Sequence, residues 1–198
     1  MSMKSSVANM ILSLGCITIV AGALLAWVYN TTSGPIEQAK QEKQVQAIRD
    51  VTPDFDNQPM EAKAEIKVLE DIDHVNVFPA MKDGKLVGAA VESWDNEGFS
   101  GHISIMFGFD IEGNVTGYTV LSHEETPGLG AKMGEWFSDT ANPSRCVIGR
   151  NPATEDMHVS KDGGAVDAIT AATITSRAFL NALRRAHAAF IQYRDLNQ

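Results

Sequence analysis

Cysteine is nearly absent from this sequence: Cys16 and Cys146 are the only two in 198 residues. Two thiols cannot furnish an iron–sulfur cluster, a four-cysteine zinc site or the CxxCH attachment of a c-type haem, and they form no disulfide framework. Histidine is as sparse. His74, His102, His123, His158 and His187 are each more than twenty residues from the next, so none offers the short ligand spacing of a helix-borne metal site. Basic charge is also in deficit, with sixteen Lys and Arg against twenty-five Asp and Glu. The net charge of −9 works against binding a phosphate backbone, which excludes nucleic acid as a partner. Neither a Walker loop nor a GxSxG elbow occurs, and Gly128-x-Gly130 is followed by Gly134, one position too late for a dinucleotide fingerprint. No catalytic residue and no metal ligand is therefore predicted.

What the sequence does have is one long uncharged run. From Ser5 to Ile36 there is no charged residue, and Ala8 to Tyr29 reads ANMILSLGCITIVAGALLAWVY. Twenty-two residues span ~33 Å as a helix, enough to cross a bilayer. Ala21-Gly22-Ala23 resembles a signal-peptide cleavage site, yet Leu24, Leu25, Trp27 and Val28 continue the run beyond it, which favours an uncleaved anchor. Trp27 and Tyr29 stand where an interfacial aromatic belt would place them. Lys4 on one side and Lys40 and Lys43 on the other leave the orientation unset by charge.

The organisation expected is a short tail over 1–7, a transmembrane helix over 8–29, a stalk over 30–60 and a folded domain over 61–198. Thr31 to Pro35 should break the first helix, with Ser33 and Pro35 starting a second, largely solvated one over Glu37 to Asp50. Strands are predicted at Lys85 to Ser93, His102 to Phe109 and Val115 to His123, with Glu112-Gly113-Asn114 as a hairpin turn and a shorter strand near Arg145 to Gly149. Ile103, Ile105, Phe107 and Phe109 alternate, so the sheet should have one buried face and one wetter face. Phe179, Leu183, Ala186, Phe190 and Tyr193 recur at helical spacing and define an amphipathic terminal helix. No βαβ alternation and no repeat is present, so the fold class is α+β: an N-terminal transmembrane helix, then a domain with an antiparallel sheet and packed helices.

Two segments can carry chemistry. Asp167-Ala-Ile-Thr170-Ala171-Ala172-Thr173-Ile174-Thr175-Ser176 sets hydroxyls and small residues at the start of that helix. Free backbone N–H groups and the helix dipole suit such a place to a phosphate, although Thr and Ser there also serve as ordinary caps. The second segment, His123-Glu124-Glu125-Thr126-Pro127-Gly128-Leu129-Gly130, runs from a strand end into a loop whose glycines let backbone approach a flat ligand. His123 and Glu125 could pair as acid and base, or simply share a solvated face.

A single N-terminal span, Gly98-Phe-Ser-Gly101, the HEETPGLG loop (123–130) and DAITAATITS (167–176), in that order, resemble the G subunits of Rnf electron-transport complexes, a pattern shared by the related C subunits of sodium-translocating NADH:quinone reductases. The resemblance runs over nearly the whole chain. It implies an FMN esterified through its phosphate to Thr173, installed outside the cytoplasm by a flavin transferase that reads Asp167. It also implies a cofactor site drawn from Glu125, Thr126, Gly128, Leu129, Gly130, Thr170, Ala172, Ile174 and Thr175. The family pattern is Ser-Gly-Ala-Thr where this chain has Thr170-Ala171-Ala172-Thr173, which leaves the acceptor and adds a methyl at the glycine position.

The function so implied is electron relay through covalent FMN in an ion-translocating ferredoxin:NAD oxidoreductase. The partners implied are an FMN-bearing D subunit, integral-membrane subunits and membrane lipid, with the domain on the extracytoplasmic side of the cytoplasmic membrane. Two alternatives stand beside it: the quinone-reductase subunit, which is generally longer than 198 residues, and a non-redox adaptor on a membrane stalk, which a visible spectrum would distinguish.

Overall fold

The computed structural model describes residues 7–68 and 74–197, so the expected N-terminal tail lies outside the described residues except for Val7. The chain forms two compact units, divided between Glu42 and Lys43. The first consists of most of helix α1 (Val7–Val51), whose most apolar window has a mean hydropathy of 2.3, and it is long and apolar enough to cross a membrane. Its large apolar side chains from Met10 to Tyr29 are exposed.

The expected break at Thr31 to Pro35 does not occur: the helix runs through Pro35. Pro35 has no N–H to give the preceding turn. The threonine hydroxyls before it help satisfy the carbonyls of the turn they follow, Thr31 Oγ1 donating to Trp27 at 2.8 Å and Thr32 Oγ1 to Val28 at 2.9 Å.

The second unit is built on a five-stranded antiparallel meander in sequence order: β1 (Ala64–Ile66), β2 (Val75–Lys82), β3 (Lys85–Gly98), β4 (Gly101–Asp110) and β5 (Val115–His123). The three expected strands are present, and β3 runs five residues further than its apolar pattern indicated. β2 was concealed by Pro79, which argues against an interior strand. The short β1 covers only Val75 to Val77, so Pro79 has no ladder partner to disappoint on that side. The Asn57 side chain takes over there, donating to the Pro79 carbonyl and accepting from the Met81 N–H, each at 2.9 Å. The Glu112 to Asn114 turn forms as expected, with Gly113 at φ +91°. Arg145 to Gly149 is not a strand. Its backbone instead closes turns, Val147 N–H donating to Phe137 and Gly149 N–H to Val115.

Helix α3 (Thr173–Leu196) follows the short helix α2 (Met133–Trp136) and packs its apolar stripe on the sheet. Phe107 meets Phe179 edge-on at 5.4 Å between ring centres, and Phe109 stacks on Phe190 at 5.4 Å. The opposite face is not wet as expected. Ala47, Ile48 and Val51, from the end of α1, cover it by packing on Phe78, Ala90 and Met106.

That close approach depends on glycine in the strands. A Cβ at Gly108 would lie 1.8 Å from the Val51 carbonyl oxygen, and one at Gly117, its register partner, 3.3 Å from the Val51 Cα. Thr116 Oγ1 donates to the Val51 carbonyl, which the helix itself leaves without a partner.

Candidate functional site

β3 and β4 are joined by a two-residue hairpin, Phe99-Ser100, between the paired Gly98 and Gly101. Gly101 takes φ +103°, which the turn demands and which glycine adopts without strain. Phe99 is left on the tip, 67% exposed. At the far end of β5 the chain enters the Glu125 to Gly130 loop, and after α2 and a run of turns it reaches the start of α3. These three places lie together around one pocket of about 290 Å³, lined by Phe99, Glu125, Thr126, Leu129, Gly130 and the segment Ala171 to Thr175.

Glu125 holds the three segments in place. Its carboxylate is buried, accepting the Thr175 hydroxyl at Oε2 (2.9 Å) and the Ser100 N–H at Oε1 (3.1 Å). Charge-assisted hydrogen bonds of this kind are about twice as strong as neutral ones, and here one group joins hairpin, loop and helix. Space for it is made by glycine: a Cβ on Gly130 would come within 2.3 Å of Glu125 Oε2, and one on Gly98 within 2.7 Å of Oε1. His123 is no acid/base partner to this carboxylate. Its Nδ1 accepts the Glu125 backbone N–H at 3.1 Å, and the ring is exposed.

The start of α3 is not capped by its own hydroxyls. Ala172 occupies the cap position and no side chain caps the first N–H groups. The Ser176 hydroxyl faces inward, accepting from the Ile169 N–H and donating to the Ala172 carbonyl, each at 2.9 Å. Thr175 is committed to Glu125. Thr173 is the half-buried hydroxyl of the pocket, and Lys161 Nζ stands 3.2 Å from its Oγ1. Ala171 adopts φ +62°, a left-handed conformation that alanine tolerates poorly, at the place where the resembled pattern has glycine. Asp167 lies just upstream, and hydroxyls of Ser144 and then Ser160 hold its carboxyl below the usual range.

Of the residues singled out in the sequence, Glu125, Thr126, Leu129, Gly130, Ala172, Thr173, Ile174 and Thr175 line the pocket, whereas Thr170 and Gly128 do not. Gly128 is required by its φ of +78°, and a Cβ there would meet nothing within 4 Å. Phe99 and Ala171 are additional lining residues. Phe99 had a sequence signal, since it is the one large apolar residue between two turn glycines.

The lining fits a flavin mononucleotide. It is largely apolar, with Phe99, Leu129 and Ile174 exposed enough to touch a flat ring, while an ammonium and uncapped helical N–H groups at Thr173 suit a phosphate. At about 290 Å³ it sits near the low end of small-molecule pockets, so part of a bound flavin would remain outside it.

Fold and site together define an FMN-binding domain, and the family model of that description matches residues 98–188, spanning the hairpin, the loop and most of α3. The chain belongs to the family formed by the G subunits of ion-translocating oxidoreductase complexes. It is 32% identical to the G subunit from Shewanella piezotolerans over 198 residues, covering 98% of this chain and 93% of the relative. The Aliivibrio fischeri protein of the same name is 34% identical over 180 residues, with 88% and 86% covered. The Salmonella typhimurium protein is 45% identical over a shorter 114 residues, with 56% and 53% covered.

Proposed function

We propose that this chain is the membrane-anchored flavoprotein subunit of an Rnf-type ion-translocating complex and relays electrons through FMN esterified to Thr173. The single observation that carries this reading is the pocket itself, in which the hydroxyl of Thr173, at the start of α3, meets the Lys161 ammonium beside a largely apolar lining. When bound, the flavin supplies the one- and two-electron redox chemistry. The chain's own residues bind and orient. Glu125 fixes the loop against the helix, Leu129, Ile174 and Phe99 offer apolar surface to the ring, and the start of α3 receives the phosphate. With FAD as donor, attachment forms the bond from Thr173 Oγ1 to phosphorus, breaks the bond to AMP and releases the hydroxyl proton.

The domain lies on the extracytoplasmic side of the cytoplasmic membrane in this reading, where a flavin lost by dilution is not replaced from the cell's own pool and a covalent bond retains it. Its neighbours are the FMN-bearing D subunit and the integral-membrane subunits, and a flavin transferase that reads Asp167 matures it. The anchor carries no charged side chain between Ser5 and Ile36, so the ion path runs through other subunits in this reading.

Intact-mass measurement tests the attachment. Protein co-produced with a flavin transferase should gain the mass of FMN less one water, and Thr173→Ala should remove the gain. An adduct that persists in Thr173→Ala and vanishes in Thr170→Ala overturns the assignment. Sidedness is tested with Gln38→Cys in a Cys16→Ser background, since Cys146 is buried. An impermeant thiol reagent should label whole cells, and labelling only after lysis would place the domain on the other side.

A further inference from the structure

We propose that Lys161 is the positioning residue and counter-charge for the phosphate carried on Thr173, an inference that rests on the attachment just described. Lys161 is twelve residues upstream of Thr173 and belongs to neither motif that marks the site in the sequence. It sits in a 3-10 turn, Ser160–Asp162, that closes at Gly163 with φ +88°. Next to it, a Cβ on Gly164 would lie 2.2 Å from the His158 carbonyl oxygen, so the turn is packed tightly on the backbone that leads into it.

The turn is also tied to the helix that bears Thr173. Asp162 makes a two-pronged ion pair with Arg177, Nε to Oδ2 and Nη2 to Oδ1, both at 2.7 Å. Arg177 lies four residues after Thr173, one helical turn along, so this pair fixes the 3-10 turn against the first turn of α3. Arg177 lowers the Asp162 carboxyl and is itself raised by it, so each is committed to the other. Lys161 is then the cation of this turn left facing the site, and its ammonium is the group at hydrogen-bond distance from Thr173 Oγ1.

A hydroxyl esterified to flavin phosphate would bring an anion to that point. The ammonium would offset its charge as a point cation with three donors, alongside the uncapped N–H groups of the helix start. Asp162 and Arg177 act at one remove, by holding the turn.

The test uses the full-length chain in detergent, prepared without flavin and then incubated with FAD and a purified flavin transferase under conditions that load the native chain. Covalent loading is followed by intact mass, and near-UV circular dichroism checks the fold of each variant. Lys161→Gln should load about tenfold more slowly, as expected for loss of one charge-assisted contact. Lys161→Glu should be slower still, and Lys161→Arg should stay within about twofold of the native rate. In fully loaded protein, the 31P resonance of the phosphodiester should move in Lys161→Gln relative to native.

Native loading rates in both Lys161→Gln and Lys161→Glu overturn the proposal. So does a Lys161→Arg rate as poor as that of Lys161→Gln, which would make shape and not charge the requirement. A slowed rate with an unmoved phosphorus resonance assigns Lys161 to contact with the transferase and also overturns it. Thr173→Val keeps the two claims apart, because an adduct that survives in that variant refutes the attachment itself whatever the Lys161 variants do.

Discussion

Thr175→Val is the substitution that most directly questions how the pocket is held together. Valine matches threonine in shape, so the change deletes one hydroxyl from a fully buried position and leaves volume nearly untouched. The loss is the 2.9 Å bond to Glu125 Oε2. A hydrogen bond to a charged group contributes about 1.5–3 kcal/mol, and the carboxylate oxygen left behind is too buried to take full compensation from water. Ser100 N–H still serves Oε1, so the carboxylate is not stripped bare, which places the cost near 2–3 kcal/mol. For a domain of this size each kcal/mol is worth about 2–4 °C, so Tm should fall by roughly 4–12 °C in a scan of the detergent-solubilised chain. Glu125→Gln should cost less when introduced on top of Thr175→Val than alone, because the shared contact is already gone. Additive losses in that cycle, or a Tm change under about 2 °C for Thr175→Val, would refute Glu125 as the joint between loop and helix.

Ala171→Gly should stabilise the chain modestly, since left-handed backbone costs alanine about 1–2 kcal/mol and glycine returns about 0.4–1 kcal/mol of that in unfolded-state entropy; a lowered Tm would show that the methyl packs usefully. Phe99→Ala should leave covalent loading intact while raising flavin fluorescence and shifting the reduction potential, and an unchanged spectrum and potential would remove Phe99 from the ring's surroundings. His187 is buried with no partner at Nε2, and burial, aided by the Arg194 charge, pushes its pKa down to about 4. Protons then bind the unfolded chain more readily than the folded one, so stability should be lost as pH falls from about 6.5 toward 4, by roughly 2 kcal/mol after allowance for solvent screening. His187→Gln should flatten that part of the stability curve, and an unaltered slope between pH 6.5 and 4 would assign the loss to other groups.

The sequence was most legible where one periodicity was unopposed. The stripe from Phe179 to Phe190 and the alternation in β4 each point to one structure, and both form. β2 was hidden because Pro79 is a local signal against a strand, and the short partner and the Asn57 side chain that make it tolerable are visible only in three dimensions. The sparse apolar residues of α1 misled in the other direction. Ala47, Ile48 and Val51 look too few to bury a helix face, yet they meet strands pared down to glycine. Within the site, the two motifs were readable as motifs, but nothing in their spacing said that they meet. Lys161 gave no signal at all, because a lysine in a polar turn is what any exposed turn contains.

The glycine notch beneath Val51 also has a consequence for the order of events during synthesis. Chains are made from the amino terminus, so the end of α1 exists before any strand that receives it. Its Val51 carbonyl finds the Thr116 hydroxyl only after a further 65 residues have been added. Until β5 is laid beside β4, the Ala47, Ile48 and Val51 face has no finished surface to cover, and a ribosome stalled before Val115 leaves that face bare. Docking of the helix end is thus a late step that reports completion of the sheet. A methyl at Gly108 would block that step at its end, after the membrane segment and nearly all strand pairing were in place, so the chain should accumulate as an inserted protein with an exposed apolar seam and be cleared by proteolysis.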